Sequence, residues 1–332
     1  MRLAGIAIAL TWLAEPALSQ SLSTFGSQGT YDAITINGLV LPLRDVDQLV
    51  AAGILRIDPA TQHFSFGTSV SSERKLAGQL SGLSLENSSA ALELYRSAKV
   101  AFPNGAAHEL TIPSGFGPAH FANQPGSTVL SASFGGVGRV PYTTSPDGAL
   151  GFGLSFGNAF KGVGASIMLS FNDLSNFGNP DRISWGFALS HYLHDGLSVA
   201  VGGENLLVKV TDGRPSFYVA GSWAFTPKTS ALPFNGVATL GLGSGRFSTM
   251  TPRDVAEGRT GPATAVFGGI AWEVTKSFNL IAEWNGRNLN LGLGYTLPGT
   301  AISLKLGVEN LTRYSGDGPL LTGSIGVTLA RF

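Results

Sequence analysis

The stretch that decides the fold is Leu150-Gly151-Phe152-Gly153-Leu154-Ser155-Phe156. Bulky apolar side chains take every second position, and glycine or serine takes the positions between. A period of two is the repeat of an extended strand, whose successive side chains point to opposite faces. The same pattern recurs on both sides of this stretch and far beyond it. Val163, Ala165, Ile167, Leu169 and Phe171 alternate with Gly164, Ser166, Met168 and Ser170. Ile183, Trp185, Phe187 and Leu189 alternate with Ser184, Gly186, Ala188 and Ser190. Leu289, Leu291, Leu293 and Tyr295 oppose Asn288, Asn290, Gly292 and Gly294, and Ile302, Leu304, Leu306 and Val308 oppose Ser303, Lys305 and Gly307. About twelve such strands begin near residues 127, 148, 163, 182, 196, 214, 236, 263, 277, 287, 300 and 320. Each runs about 9–12 residues, the length a tilted strand needs to cross a bilayer.

Turn chemistry proposes a register. Asn285-Gly286 suits a two-residue hairpin turn, which sets Ala282 opposite Leu289, Leu280 opposite Leu291 and Phe278 opposite Leu293. Asp212-Gly213 does the same, setting Val208 opposite Phe217 and Leu206 opposite Val219. Near Gly202-Gly203 the apolar positions switch from odd to even, which predicts a bulge. Val201-Gly-Gly-Glu-Asn-Leu206 and Leu306-Gly-Val-Glu-Asn-Leu311 echo one another as recurrent strand-end chemistry.

The two faces differ in size more than in charge. A soluble sandwich pairs a bulky core face with a strongly charged outer face. Here the second face is small and weakly polar, which suits a barrel with its bulky face toward lipid and its small face inward. An open sheet edge in lipid would leave N–H and C=O groups unpaired, so the sheet must close. Phe156, Phe171, Trp185, Trp223, Trp272, Trp284 and Tyr295 fall near strand ends, as interface girdles require. The connections 172–182, 244–262 and 312–319 are long and polar, whereas 157–162, 274–276 and 296–299 are short, which puts the long set outside. The fold expected is an all-β transmembrane barrel, antiparallel, of about 12 strands.

Composition agrees. The 332 residues balance 21 Lys+Arg against 21 Asp+Glu, and charged residues are 13 % of the chain, well below the ~25 % of ordinary soluble domains. A neutral chain with few cations neutralises few phosphates, so no nucleic-acid partner is expected. With no cysteine, disulfides, thiol catalysis and Cys-ligated metal or cluster sites are excluded.

The N-terminal part reads differently. Residues 1–19 have Arg2, an apolar run from Leu3 to Ala14 and the small-x-small site Ala17-Leu18-Ser19, the layout of a secretory signal peptide. Residues 20–125 form a periplasmic or lumen-inserted segment, with helices over 43–52 and 87–101 and a short strand at His63–Phe66. It is a small α/β or mainly helical extension or plug, for which the small inward residues leave room. Residues 126–332 are the barrel.

The leader, the alternating strands and the terminal Phe332 together resemble bacterial outer-membrane β-barrel proteins, porin-like in plan. Gly241-Leu-Gly-Ser-Gly-Arg-Phe247, Val266-Phe-Gly-Gly269 and Ile281-Ala-Glu-Trp-Asn-Gly-Arg-Asn-Leu-Asn-Leu-Gly-Leu293 are similar to barrels of the YjbH type, which are linked to exopolysaccharide export. The resemblance implies the outer membrane of a Gram-negative-type bacterium, with its lipid as partner. It also implies recognition of the last strand by barrel-assembly machinery through Phe332. In this chain Ile325, Val327 and Leu329 stand out of phase with Phe332, a departure from the usual pattern.

Candidate chemistry is sparse. The inward phase carries Glu204, Glu273, Glu283, Lys305 and Glu309. As lumen charges they either tune ion passage toward cations or hold the lumen's own side chains. His191 and His194 have metal-ligand spacing on a helix, but on a strand i and i+3 point to opposite faces. No catalytic, cofactor or metal site is expected. The leading function is a pore for small hydrophilic solutes or an accessory to polysaccharide export. The alternatives are a closed structural or assembly barrel, and an outer-membrane hydrolase, since serines are plentiful.

Overall fold

A computed structural model describes residues 33–36, 39–58, 63–67, 70, 72–100, 107–117, 128–209, 214–225, 234–259, 263–275, 277–298, 300–312 and 318–332. The leader expected over 1–19 and the Asp212-Gly213 turn lie outside the described residues.

The alternating region forms twelve antiparallel strands: β5 (Val129–Val137), β6 (Asp147–Gly157), β7 (Gly164–Phe171), β8 (Ile183–His194), β9 (Leu197–Leu206), β10 (Ser216–Phe225), β11 (Gly236–Gly243), β12 (Val266–Thr275), β13 (Phe278–Trp284), β14 (Leu289–Thr296), β15 (Ile302–Glu309) and β16 (Leu320–Arg331). Each pairs with its neighbours in sequence, and β16 pairs with β5, so the barrel closes with no free edge. With an even strand count, Thr128 and Phe332 lie at one end, the near end. At the far end lie the strand ends Val137 and Asp147, Phe171 and Ile183, Leu206 and Ser216, Gly243 and Val266, Trp284 and Leu289, and Glu309 and Leu320.

Burial follows the period of two. Along β8, Ser184, Gly186, Ala188, Ser190 and Tyr192 are buried inward, while Trp185, Leu189 and Leu193 are exposed outward. The outer surface is an apolar belt that includes Phe134, Phe152, Ile167, Val201, Phe217, Leu240, Leu291, Leu306 and Ile325, all more than a third exposed. Folded domains in water rarely expose contiguous apolar area on this scale. The aromatic rows sit at its two rims. Phe156, Trp223, Trp272 and Tyr295 lie toward the near end, and Phe171, Trp185 and Trp284 toward the far end. Trp223, Phe225, Phe234 and Trp272 form a chain with ring centroids 5.2, 6.0 and 6.0 Å apart.

Two registers differ from the turn-based reading. Trp284 pairs with Leu289, Ala282 with Leu291 and Leu280 with Leu293. The hairpin is therefore two residues out of the expected register, which leaves the facing of every side chain unchanged. The cause is Asn285. Its Oδ1 accepts the N–H groups of Arg287 at 3.0 Å and Asn288 at 2.9 Å, and Gly286 takes φ +96°. The connection is thus a four-residue Asx-type loop. The second difference is on β9. Val219 pairs with Val201 rather than Leu206, and Phe217 with Gly203 rather than Val208. β9 ends at Leu206 after a bulge at Glu204-Asn205, where Asn205 has φ +54°. The bulge falls next to the expected Gly202-Gly203 step.

A bulge on β16 sets the phase of the last strand. The β16–β5 register shifts between Thr328 and Ala330. Beyond it Ala330 faces Leu130 and Arg331 faces Val129, and Phe332 exchanges backbone hydrogen bonds with Thr128 at 2.9 and 3.2 Å. The extra residue, Leu329, brings Phe332 onto the same outward side as Ile325 and Val327.

The N-terminal part is a small α/β body at the near end. It comprises β1 (Ala33–Ile36), β2 (Leu39–Pro42), α1 (Leu43–Ala51), β3 (Leu55–Asp58), β4 (His63–Phe66), α2 (Glu73–Leu80) and α3 (Ser88–Val100). The two expected helices and the short strand are present. α2 is an addition, started by Ser72, whose hydroxyl accepts the Lys75 N–H at 3.3 Å. Leu41, Val46, Leu49, Ile54, Leu76, Leu80, Leu94 and Tyr95 form its core. Polar contacts tie it to the near-end turns. Glu93 accepts from Asn158 and pairs with Lys161 at 2.8 Å. Arg96 pairs with Glu73 and donates to Phe160 O at 2.8 Å, and the Glu73 N–H donates to Asp195 at 2.9 Å.

Candidate functional site

The interior of the barrel is occupied on one side by residues 107–117. This segment runs in from the near end along β13 and β14, turns at Pro113 and returns along β10. Three side chains peg it to the wall. Leu110 packs with Ala271 and Ile281, Ile112 with Tyr218, Phe247 and Phe267, and Phe116 with Phe160, Tyr192 and Val237. Fully burying side chains of this size contributes about 1.5–3 kcal/mol each. The wall makes room with glycine. A Cβ on Gly294 would lie 2.2 Å from Ala107 O, and one on Gly307 would lie 2.4 Å from Leu110 Cδ2.

Glu283 holds the tip of the segment. It is 1 % exposed and accepts the N–H groups of Leu110 at 2.9 Å and Thr111 at 2.8 Å, the Thr111 hydroxyl, and Asn290 Nδ2 at 3.2 Å. A buried carboxylate is tolerated because its lone pairs are filled by donors. On the returning limb, the Gly115 N–H donates to Ser222 Oγ at 2.8 Å, and Ser222 bonds Thr239 at 2.7 Å.

The far mouth is crossed by residues 244–259, in the connection after β11, with a 3-10 turn at Gly245–Phe247 and the short helix α4 (Pro252–Ala256). β11 and β5 stand six strands apart in a ring of twelve, so this connection reaches the opposite rim. There Asp254 accepts from Tyr142 Oη at 2.7 Å and Arg287 at 3.2 Å, and Arg253 donates to Pro141 O at 2.9 Å. Burial raises the Tyr142 hydroxyl to a pKa of about 12, helped by the hydrogen bond and charge of Asp254 and opposed by Arg259.

Beside the segment, the described residues of the barrel wall leave open space. A cavity of about 540 Å³ lies against β5, β6, β7, β15 and β16. Ser131, Ser133, Ser170, Ser303, Ser324 and Thr328 supply its hydroxyls, and Lys305 is the ionisable side chain among its described lining residues. Lys305 Nζ is 3.4 Å from Leu110 O, at the boundary between the segment and the cavity.

The five expected lumen charges all face inward, but they do not form one cluster. Glu283 clamps the segment. Glu204 pairs with Arg246, whose Nη2 donates to Thr111 O at 2.7 Å. Glu273 accepts from Asn235 at 3.3 Å near the other end. Lys305 borders the cavity, and Glu309 lies at the far end of β15. Sequence reasoning missed Arg246, Asp254, Tyr142 and Arg287, which lie in connections where no periodicity marks a role. It also missed the pegs, although Leu110 and Ile112 alternate with Glu109 and Thr111 as strand-like segments do.

Among the described residues, His108 Nε2 lies 3.5 Å from Ser114 Oγ and 2.9 Å from Glu109 Oε1, so the serine and the carboxylate meet the same ring nitrogen rather than opposite ones. His191 points out of the strand and contacts Gly162 O, and His194 is exposed at the end of β8. Gly153-Leu154-Ser155-Phe156-Gly157 has Gly-x-Ser-x-Gly spacing, but Ser155 lies inside β6, paired with Val129 and Ser166. A nucleophile elbow needs a sharp turn from strand to helix, which this stretch lacks.

No family model matches the sequence, and no curated protein matches it. Among solved structures the chain is similar to the KdgM porin, at 10 % identity over 61 % of this chain and 99 % of that one, with a TM-score of 0.35. It is also similar to the Acinetobacter baumannii outer membrane protein Omp33, at 8 % identity over 62 % and 98 %, with a TM-score of 0.32. A mutant of the Rh. blastica porin matches at 11 % identity with a TM-score of 0.29. That match covers 55 % of this chain and 55 % of the porin, so the chain spans about half of the porin's length. The fold assignment rests on this chain's own closed strand order.

Proposed function

We propose that this chain is an outer-membrane pore that passes small hydrophilic solutes along one side of its lumen. The observation that carries the reading is the hydroxyl-lined cavity beside the inserted segment. A closed barrel satisfies its own backbone, and the apolar belt with aromatic rims suits a bilayer. In this reading the near end and its α/β body are periplasmic, and the long far-end connections are outside. The exposed, outward Phe332 then serves as the assembly signal on the last strand. The polysaccharide-export reading rests on the family resemblance alone.

Single-channel recording from the full chain in a planar bilayer tests the proposal. A small steady conductance is expected, because residues 107–117 occupy one side of the interior. Silence would favour a closed structural barrel instead.

A further inference from the structure

Building on the pore reading, we propose that the open side of the lumen selects small anions over cations, with Lys305 as the selecting residue. The inward carboxylates suggest the opposite when only counted. Partners or position take them out of the passage. Glu283 is enclosed by four donors from the segment and Asn290. Glu204 is neutralised by Arg246, and Asp254 by Arg287. Glu273 is held by Asn235 on the β11–β12 side, away from the cavity wall. Glu309 is on the same face as Lys305 but four residues on, about 13 Å along the strand at the usual rise.

Asp147, two residues from Ala149 on the same face of β6, is held at the far rim by Ser175, so among the described residues that line the cavity Lys305 is the charged one beside a wall of hydroxyls. The Leu110 carbonyl beside Lys305 accepts a hydrogen bond but does not cancel the charge. At the near end the β16 bulge turns Arg331 inward opposite Val129, which places a second cation on the same wall. A fixed charge in a narrow passage with low-dielectric walls raises the local concentration of counter-ions and sets the sign of selectivity.

The test is the reversal potential of the full chain in a KCl gradient at low salt, where screening is weakest. Refolding of each variant is checked first by heat-modifiable gel migration. The unmodified chain is expected to reverse on the chloride side. Lys305→Arg keeps that sign, Lys305→Gln moves the potential toward zero, and Lys305→Glu carries it to the potassium side. A potassium-selective parent chain would overturn the inference while leaving the pore reading intact. So would a Lys305→Glu channel whose reversal potential equals the parent's. Silence from every folded form would overturn the pore reading, and this inference with it.

Discussion

The two sides of the barrel share one outward pattern and differ in what they hold. On the β10–β15 side the small inward residues receive a segment of the same chain. Ser222 is 1 % exposed beneath it, and Gly294 and Gly307 have no space for a Cβ. On the β5–β7 and β16 side the same residue types line a cavity. A Cβ on Gly153 would meet only the Ser131 hydroxyl, at 2.8 Å, and that hydroxyl can rotate away. Glycine and serine on the inner face therefore state that space exists. What fills it is decided by apolar pegs and by one buried carboxylate.

The largest effect should come from Glu283→Ala. It leaves two backbone N–H groups without their acceptor, at about 1–3 kcal/mol for each unsatisfied buried group. Denaturant unfolding should show the loss, and conductance should rise as the segment loosens. An unchanged midpoint and conductance would mean that the segment is held some other way. Gly307→Ala comes next. Its Cβ would overlap Leu110, so it should cost about 1–3 kcal/mol by overpacking.

The lid at the far mouth gives a smaller effect. Tyr142→Phe removes the hydrogen bond to Asp254, about 1 kcal/mol for a typical bond. The pH dependence follows from the raised pKa. A free phenol ionises at 10.0, and this one at about 12. The contact is therefore intact below pH 10 and lost as pH rises through 12. Parent-channel gating should become noisier in that window, while Tyr142→Phe should be noisy throughout. The smallest effect is expected from Gly153→Ala, within about 0.5 kcal/mol as for substitutions with room to spare. A cost like that of Gly307→Ala would erase the distinction between the two sides.

The strands were legible because lipid-facing and lumen-facing positions differ at every step. Each observed strand starts within three residues of its expected position. The registers at Asn285-Gly286 and Asp212-Gly213 were less legible. Side-chain hydrogen bonds from Asn285 and a bulge at Glu204-Asn205 outrank dipeptide preference there. The phase of Phe332 was hidden for a similar reason, since one extra residue at Leu329 does not show in a binary pattern. The lumen charges were legible as inward-facing, but their partners were not. Thr111, Asn290 and Arg246 meet Glu283 and Glu204 only after the segment has folded back into the barrel.

Thiol accessibility tests the unequal lumen most directly, because the chain has no cysteine of its own. Ser133→Cys and Ser222→Cys place one thiol on each side of the refolded barrel, to be labelled with a water-soluble, charged thiol reagent. The account predicts rapid modification at position 133 with a drop in conductance, and protection at position 222. Equal labelling at the two positions would contradict it.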